Sequence, residues 1–96
     1  MIEKNYTALD VIQKEYGDSR NAITPSRIEV GFTDSRDYAW ELSTGRGLNH
    51  EWIYGVTVVL CETGPNGTLL RTKRKPELSD CFRSRRAAEQ YIECLE

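Results

Sequence analysis

The run from Trp52 to Cys61 constrains this chain more than any other stretch. It reads Trp52, Ile53, Tyr54, Gly55, Val56, Thr57, Val58, Val59, Leu60, Cys61, almost all β-branched, aromatic or aliphatic. Ten residues fall far short of the roughly 20 that span a bilayer, and this composition is that of a strand. Its second half is apolar at both parities, so neither side of it suits water. That places it in the middle of a sheet.

The flanking segments supply neighbours for it. From Ser26 the hydrophobic period is two: Ile28, Val30 and Phe32 alternate with Arg27, Glu29 and Gly31. Residues 33–36 read as a turn, and Tyr38, Trp40 and Leu42 then alternate with Asp37, Ala39 and Glu41. The two runs predict a hairpin with one aromatic-rich face and one charged face, followed by a polar loop over 43–51. After Cys61, the Gly64-Pro65-Asn66-Gly67 cluster is a strong turn signal, and residues 68–74 return as a shorter strand. Lys73, Arg74, Lys75 and Pro76 mark an edge that should not pair further.

A helix is expected at each end. Thr7 and Asp10 have the spacing of a weak capping box, and Leu9, Ile12 and Tyr16 follow at helical spacing, with Gly17 as the stop. Asp18 to Pro25 is rich in turn formers and reads as a connection. Near the other end, Ser84 is a good N-cap, and Ala87, Ala88, Tyr91, Ile92 and Leu95 form an apolar stripe that should lie across the sheet. The predicted fold is α+β: an antiparallel sheet of three to four strands, with a short N-terminal helix and a C-terminal helix packed on one face, in the order α-β-β-β-β-α. Ninety-six residues suffice for one hydrophobic core, so residues 1–96 are expected to form one domain with 1–6 as a flexible tail.

Candidates for chemistry are few. The single histidine, His50, lies in a polar loop, and a cysteine–histidine nucleophile would need one of the three cysteines to reach it. Cys61 and Cys94 lie in or beside apolar stretches, and Cys81 has the carboxylate of Asp80, not a basic residue, as its neighbour. No close pairing of cysteine or histidine has zinc spacing, so neither a metal nor another cofactor is expected. Gly45-Arg46-Gly47 lacks the third glycine and the following helix of a phosphate loop. From that loop Arg46, Asn49 and His50 remain candidate contacts for a ligand. The odd number of cysteines, the lack of a signal-like N-terminus and the absence of a long apolar run predict a cytoplasmic, non-membrane protein and no enzyme.

Charge is distributed unevenly. The formal net charge is −2, yet Arg71, Lys73, Arg74, Lys75, Arg83, Arg85 and Arg86 crowd into one segment against only Glu77 and Asp80. Arg85 and Arg86 open the last helix and Glu93 and Glu96 close it, an order that opposes the helix dipole. Either the two arginines pair with Glu89 along a solvated face, or they present a fork-shaped donor surface to a partner.

The order of helix, antiparallel strands and helix, with Ser84-Arg85-Arg86-Ala87-Ala88 opening the last helix, resembles the double-stranded-RNA-binding domain, whose last helix begins with a basic cluster followed by alanines. The resemblance covers the element order and this short stretch. Glu89 stands where a further basic residue would be expected, and the extra strand and longer first connection also depart from it. It implies a nucleic-acid partner. Overall acidity and mixed charge point instead to a non-catalytic regulatory or adaptor domain with a protein partner, a class that includes accessory proteins of mobile elements. The alternative is a nucleic-acid-binding module using the basic segment 71–86. A monomer or a weak homodimer through a free sheet edge is expected.

Overall fold

In the computed structural model, the described residues are 6–16, 26–46 and 49–95. The chain runs α1 (Ala8–Tyr16), β1 (Ser26–Phe32), β2 (Tyr38–Arg46), β3 (Trp52–Thr63), β4 (Leu69–Arg74), β5 (Asp80–Phe82) and α2 (Arg85–Cys94). Every strand pairing is antiparallel, so the α+β architecture read from the sequence is the one formed. The strand order is β1-β2-β3-β4, and β5 also pairs with β3. The Trp52–Cys61 run therefore lies at the centre. The expected stop at Gly17 and the connection over 18–25 lie outside the described residues. So do residues 1–5 of the expected tail, whereas Tyr6 packs against the core.

Both faces of the sheet are covered, which is why β3 is apolar at both parities. Val59 and Cys61 point one way, joining Ala39, Leu69 and the α1 residues Ala8, Val11 and Ile12. Val56 and Val58 point the other way, joining Leu42 and the α2 residues Ala88 and Ile92. Each helix starts at a side-chain cap. The Thr7 N–H donates to Asp10 Oδ2 (2.9 Å) and the Asp10 N–H to Thr7 Oγ1 (3.1 Å), the reciprocal capping box expected there. The Ala87 N–H donates to Ser84 Oγ (3.1 Å).

The expected aromatic and charged faces of the first hairpin do not form. Phe32 pairs with Ala39 and Val30 with Glu41, so the apolar side chains of β1 face α1. Tyr38, Trp40 and Leu42 face α2, together with Ile28, which a register shift between Arg27 and Glu29 turns to that side. Directly opposed residues share a face, so the pairing register, which alternation within each strand leaves open, decided the matter. Glu41, assigned to a charged face, is buried under the α1 side, with Arg27 Nε 3.4 Å from its carboxylate.

Gly31 lies opposite Trp40 and lets the indole lie across the strand. A Cβ at Gly31 would come within 2.5 Å of Trp40 Cζ2. Gly31→Ala should therefore displace the ring and destabilise the fold by about 1–2 kcal/mol, overpacking being partly offset by the lower entropy of the unfolded chain. Urea unfolding monitored by circular dichroism measures this; an unchanged midpoint would show that the ring moves aside freely.

β4 and β5 together make one interrupted edge. β4 pairs with residues 59–63 of β3 and β5 with residues 54–56, and between them the chain leaves the sheet at Pro76–Leu78. The gap is bridged at Val58. Its carbonyl accepts from the Lys75 N–H (3.1 Å), and its own N–H donates to Ser79 Oγ (3.0 Å), which donates in turn to the Lys75 carbonyl (3.1 Å). The edge at Lys75-Pro76 was expected to end pairing. It pauses, and β5 resumes.

Candidate functional site

β2 and β3 pair as far as Arg46 opposite Trp52, so the first four residues of what reads as a polar loop over 43–51, Ser43 to Arg46, are strand. At the tip of this hairpin the described residues are Arg46, 49–51 and Trp52. Arg46 stacks its guanidinium 4.5 Å from the centre of the Trp52 ring, and its Nη1 donates to the His50 carbonyl (3.3 Å). His50 adopts the left-handed conformation that closes the turn (φ 62°). Thr44 Oγ1 donates to the Ile53 carbonyl (3.2 Å) and ties the strands just below. The loop candidates Arg46, Asn49 and His50 are thus brought together, all exposed. Trp52, the residue that gives the tip its character, reads in the sequence only as the first residue of a strand. It is 51% exposed. The available signal was its place next to polar residues 49–51, beyond the stretch that is apolar at both parities.

The basic segment divides into three groups. Thr72 and Arg74 share the α1 face with Cys61 and Val59; there Arg74 Nη2 donates to the Glu15 carbonyl (2.8 Å), and Thr72 hydrogen-bonds the Glu15 carboxylate. Arg71 and Lys73 lie on the opposite face, across from Glu62 and Leu60, and with Lys75 they surround a pocket of about 330 Å³. Arg71 Nη2 donates to Glu62 Oε1 (2.5 Å), a hydrogen bond that holds the Glu62 carboxyl below its ordinary range. Lys75 Nζ lies 3.3 Å from Glu77, whose carboxyl is also lowered, first by a hydrogen bond from its own backbone and then by Lys75.

Arg83, Arg85 and Arg86 form the third group, following β5 at the other end of β3. Lys73 is opposite Leu60 and Phe82 opposite Tyr54, six residues along β3 and so about 20 Å apart. Arg85 Nε lies 3.6 Å from Glu89 at i,i+4, the pairing that favours a solvated face at that position. Among the described residues Lys73, Arg83 and Arg86 make no ion pair.

Cys61 lies opposite Thr72 and Cys81 opposite Gly55 in the sheet. Cys61 is buried and donates to the Arg36 carbonyl (3.2 Å); burial, then the charge of Asp37, raises its pKa. Cys81 and Cys94 are exposed. Among the described residues no three histidine, cysteine or acidic side chains are grouped to hold a metal ion, and no helix is long and apolar enough to cross a membrane. Comparison with protein-family models, curated proteins and solved structures finds no match for this chain.

Proposed function

We propose that this chain is a non-catalytic adaptor or regulatory domain of the cytoplasm that binds a protein partner chiefly through the tip of the β2–β3 hairpin. The observation that carries this reading is the half-exposed Trp52 with Arg46 stacked on it. Tryptophan and arginine are among the residues most often found as energetic centres of protein interfaces, tryptophan because it removes much surface from water for little conformational entropy, and arginine because its planar fork donates several hydrogen bonds. Here the arginine is already ordered by the ring and by the His50 carbonyl, so less freedom remains to be lost on binding.

The dispersal of the basic segment supports a protein partner over a nucleic acid. Phosphate recognition by bulk charge asks for cations along one surface. These cations occupy two faces and two ends of the sheet. The free edges are β1 and the β4–β5 strand, the latter carrying Arg71, Lys73 and Arg74 and broken at Pro76–Leu78, features that discourage tight self-pairing. A monomer or weak homodimer follows.

Affinity capture from the source cells, after nuclease treatment, with parent and Trp52→Ala protein, tests the reading. The expected result is a protein retained by the parent and weakened about tenfold or more by Trp52→Ala at an unchanged melting temperature. Equal capture by both proteins removes the tip from the interface. Release by nuclease, with retention falling steeply with salt, replaces the protein partner by a nucleic acid.

A further inference from the structure

The pocket beside β4 is separate from the hairpin tip and has its own chemistry. Leu60 gives it an apolar wall, and Glu62, Arg71, Thr72, Lys73 and Lys75 complete it; no α2 residue is among them. Its volume, about 330 Å³, lies within the range of sites that hold a small group rather than a passing solvent molecule.

The ion pairs decide which group suits it. Arg71 is held by Glu62 at 2.5 Å and Lys75 by Glu77 at 3.3 Å, while Lys73 makes no ion pair among the described residues and acts on Glu77 only through its charge. Three cations against the carboxylates of Glu62 and Glu77 leave this group with a net charge of one positive beside an apolar surface. A single negative charge on an aliphatic body matches that arrangement. A phosphate dianion would have to draw a cation away from Glu62 or Glu77 and would face the Glu62 carboxylate at close range.

We propose that this pocket receives the side-chain carboxylate of an acidic residue of the protein partner, with a neighbouring aliphatic residue of the same peptide against Leu60. The carboxylate takes its hydrogen bonds from Lys73 first, and the already ordered Arg71 and Lys75 widen the positive field around it. This names the chemistry of part of the partner proposed above and rests on that reading.

The experiment needs no natural partner, so the pocket can fail while the hairpin tip stands. Isotope-labelled protein is titrated with the blocked peptide acetyl-Leu-Glu-Leu-amide and, separately, with its glutamine counterpart, following backbone amide shifts. The glutamate peptide is expected to bind with a Kd of about 1 mM and to move amides of β4 and the second half of β3. The glutamine peptide should bind about tenfold more weakly or worse, and Lys73→Gln should weaken the glutamate peptide by a similar factor. Trp52→Ala should leave the titration unchanged. Equal shifts from both peptides, or shifts confined to other elements, would overturn the assignment whatever Lys73→Gln does to stability. Tighter binding of phenyl phosphate than of the acidic peptide, at the same amides, would make this a phosphate site and equally overturn it.

Discussion

Ile92→Asp is expected to leave a chain with no cooperative unfolding transition. Ile92 is 8% exposed and, with Ala88, is the buried contribution of α2 to the cluster formed with Leu42, Val56 and Val58. A ten-residue helix is marginal by itself, so α2 exists because this face is packed. Its other ties are the tilted contact of Phe82 with Tyr91, centroids 5.1 Å apart, and the Tyr91 hydroxyl hydrogen bond to the Leu78 carbonyl. Both depend on the helix being seated. Aspartate at position 92 removes the branched side chain and puts a carboxylate into an apolar cluster, a change of several kcal/mol against a total stability of about 5–15. Ile92→Val should cost only about 0.5–1.5 kcal/mol and keep the transition. Thermal melts of the two variants measure the contrast, and a sharp Ile92→Asp melt near the parent temperature would mean that α2 is dispensable to the fold.

The second large effect is expected at the buried carboxylate. Glu41 has a side chain only 2% exposed, and Arg27, 34% exposed, approaches it to 3.4 Å across the β1–β2 pair. Arg27→Met should destabilise by about 2 kcal/mol, because a buried charge loses its cationic partner. That is below the roughly 3–5 kcal/mol of a fully buried pair, since Arg27 stays partly in water and Glu41 keeps further interactions. Changing both, Arg27→Met with Glu41→Leu, should restore stability to the parent value or above it, since a fitting apolar pair needs no desolvation of charge. Urea midpoints of the parent, both single variants and the double variant give the coupling directly. Simple additivity of the two single effects would show that the contact carries no energy. With a favourable coupling, the pair also helps hold the register: a one-residue slip of β1 would carry Arg27 to the other face and leave Glu41 without it.

Local chemistry was legible without the fold. The capping box at Thr7, the cap at Ser84, the turn at 33–36 and the central position of β3 all follow from neighbours in sequence, because caps, turns and alternation are determined within a few residues. So did the inclusion of Arg46, Asn49 and His50 as one group, since they lie within five residues of one another in the sequence. The pocket's cations Arg71, Lys73 and Lys75 were legible as charges, though not as a set apart from Arg74, Arg83, Arg85 and Arg86.

What only the tertiary structure decided is relative placement. Alternation says which residues of a strand go together and leaves open which face of its neighbour they join. Pairing of Phe32 with Ala39 sent Val30 and Phe32 to α1 and Trp40 and Leu42 to α2. The same register buried Glu41, and it is also why the two helices cover opposite faces of the sheet. β5 forms because a side chain, Ser79, substitutes for backbone across a gap, a contact between positions 21 residues apart that no local pattern encodes. Trp52 stands exposed because the β2–β3 pairing runs past the region the helices cover. A residue's type determines what it prefers, and only the packing of distant segments determines whether that preference is met.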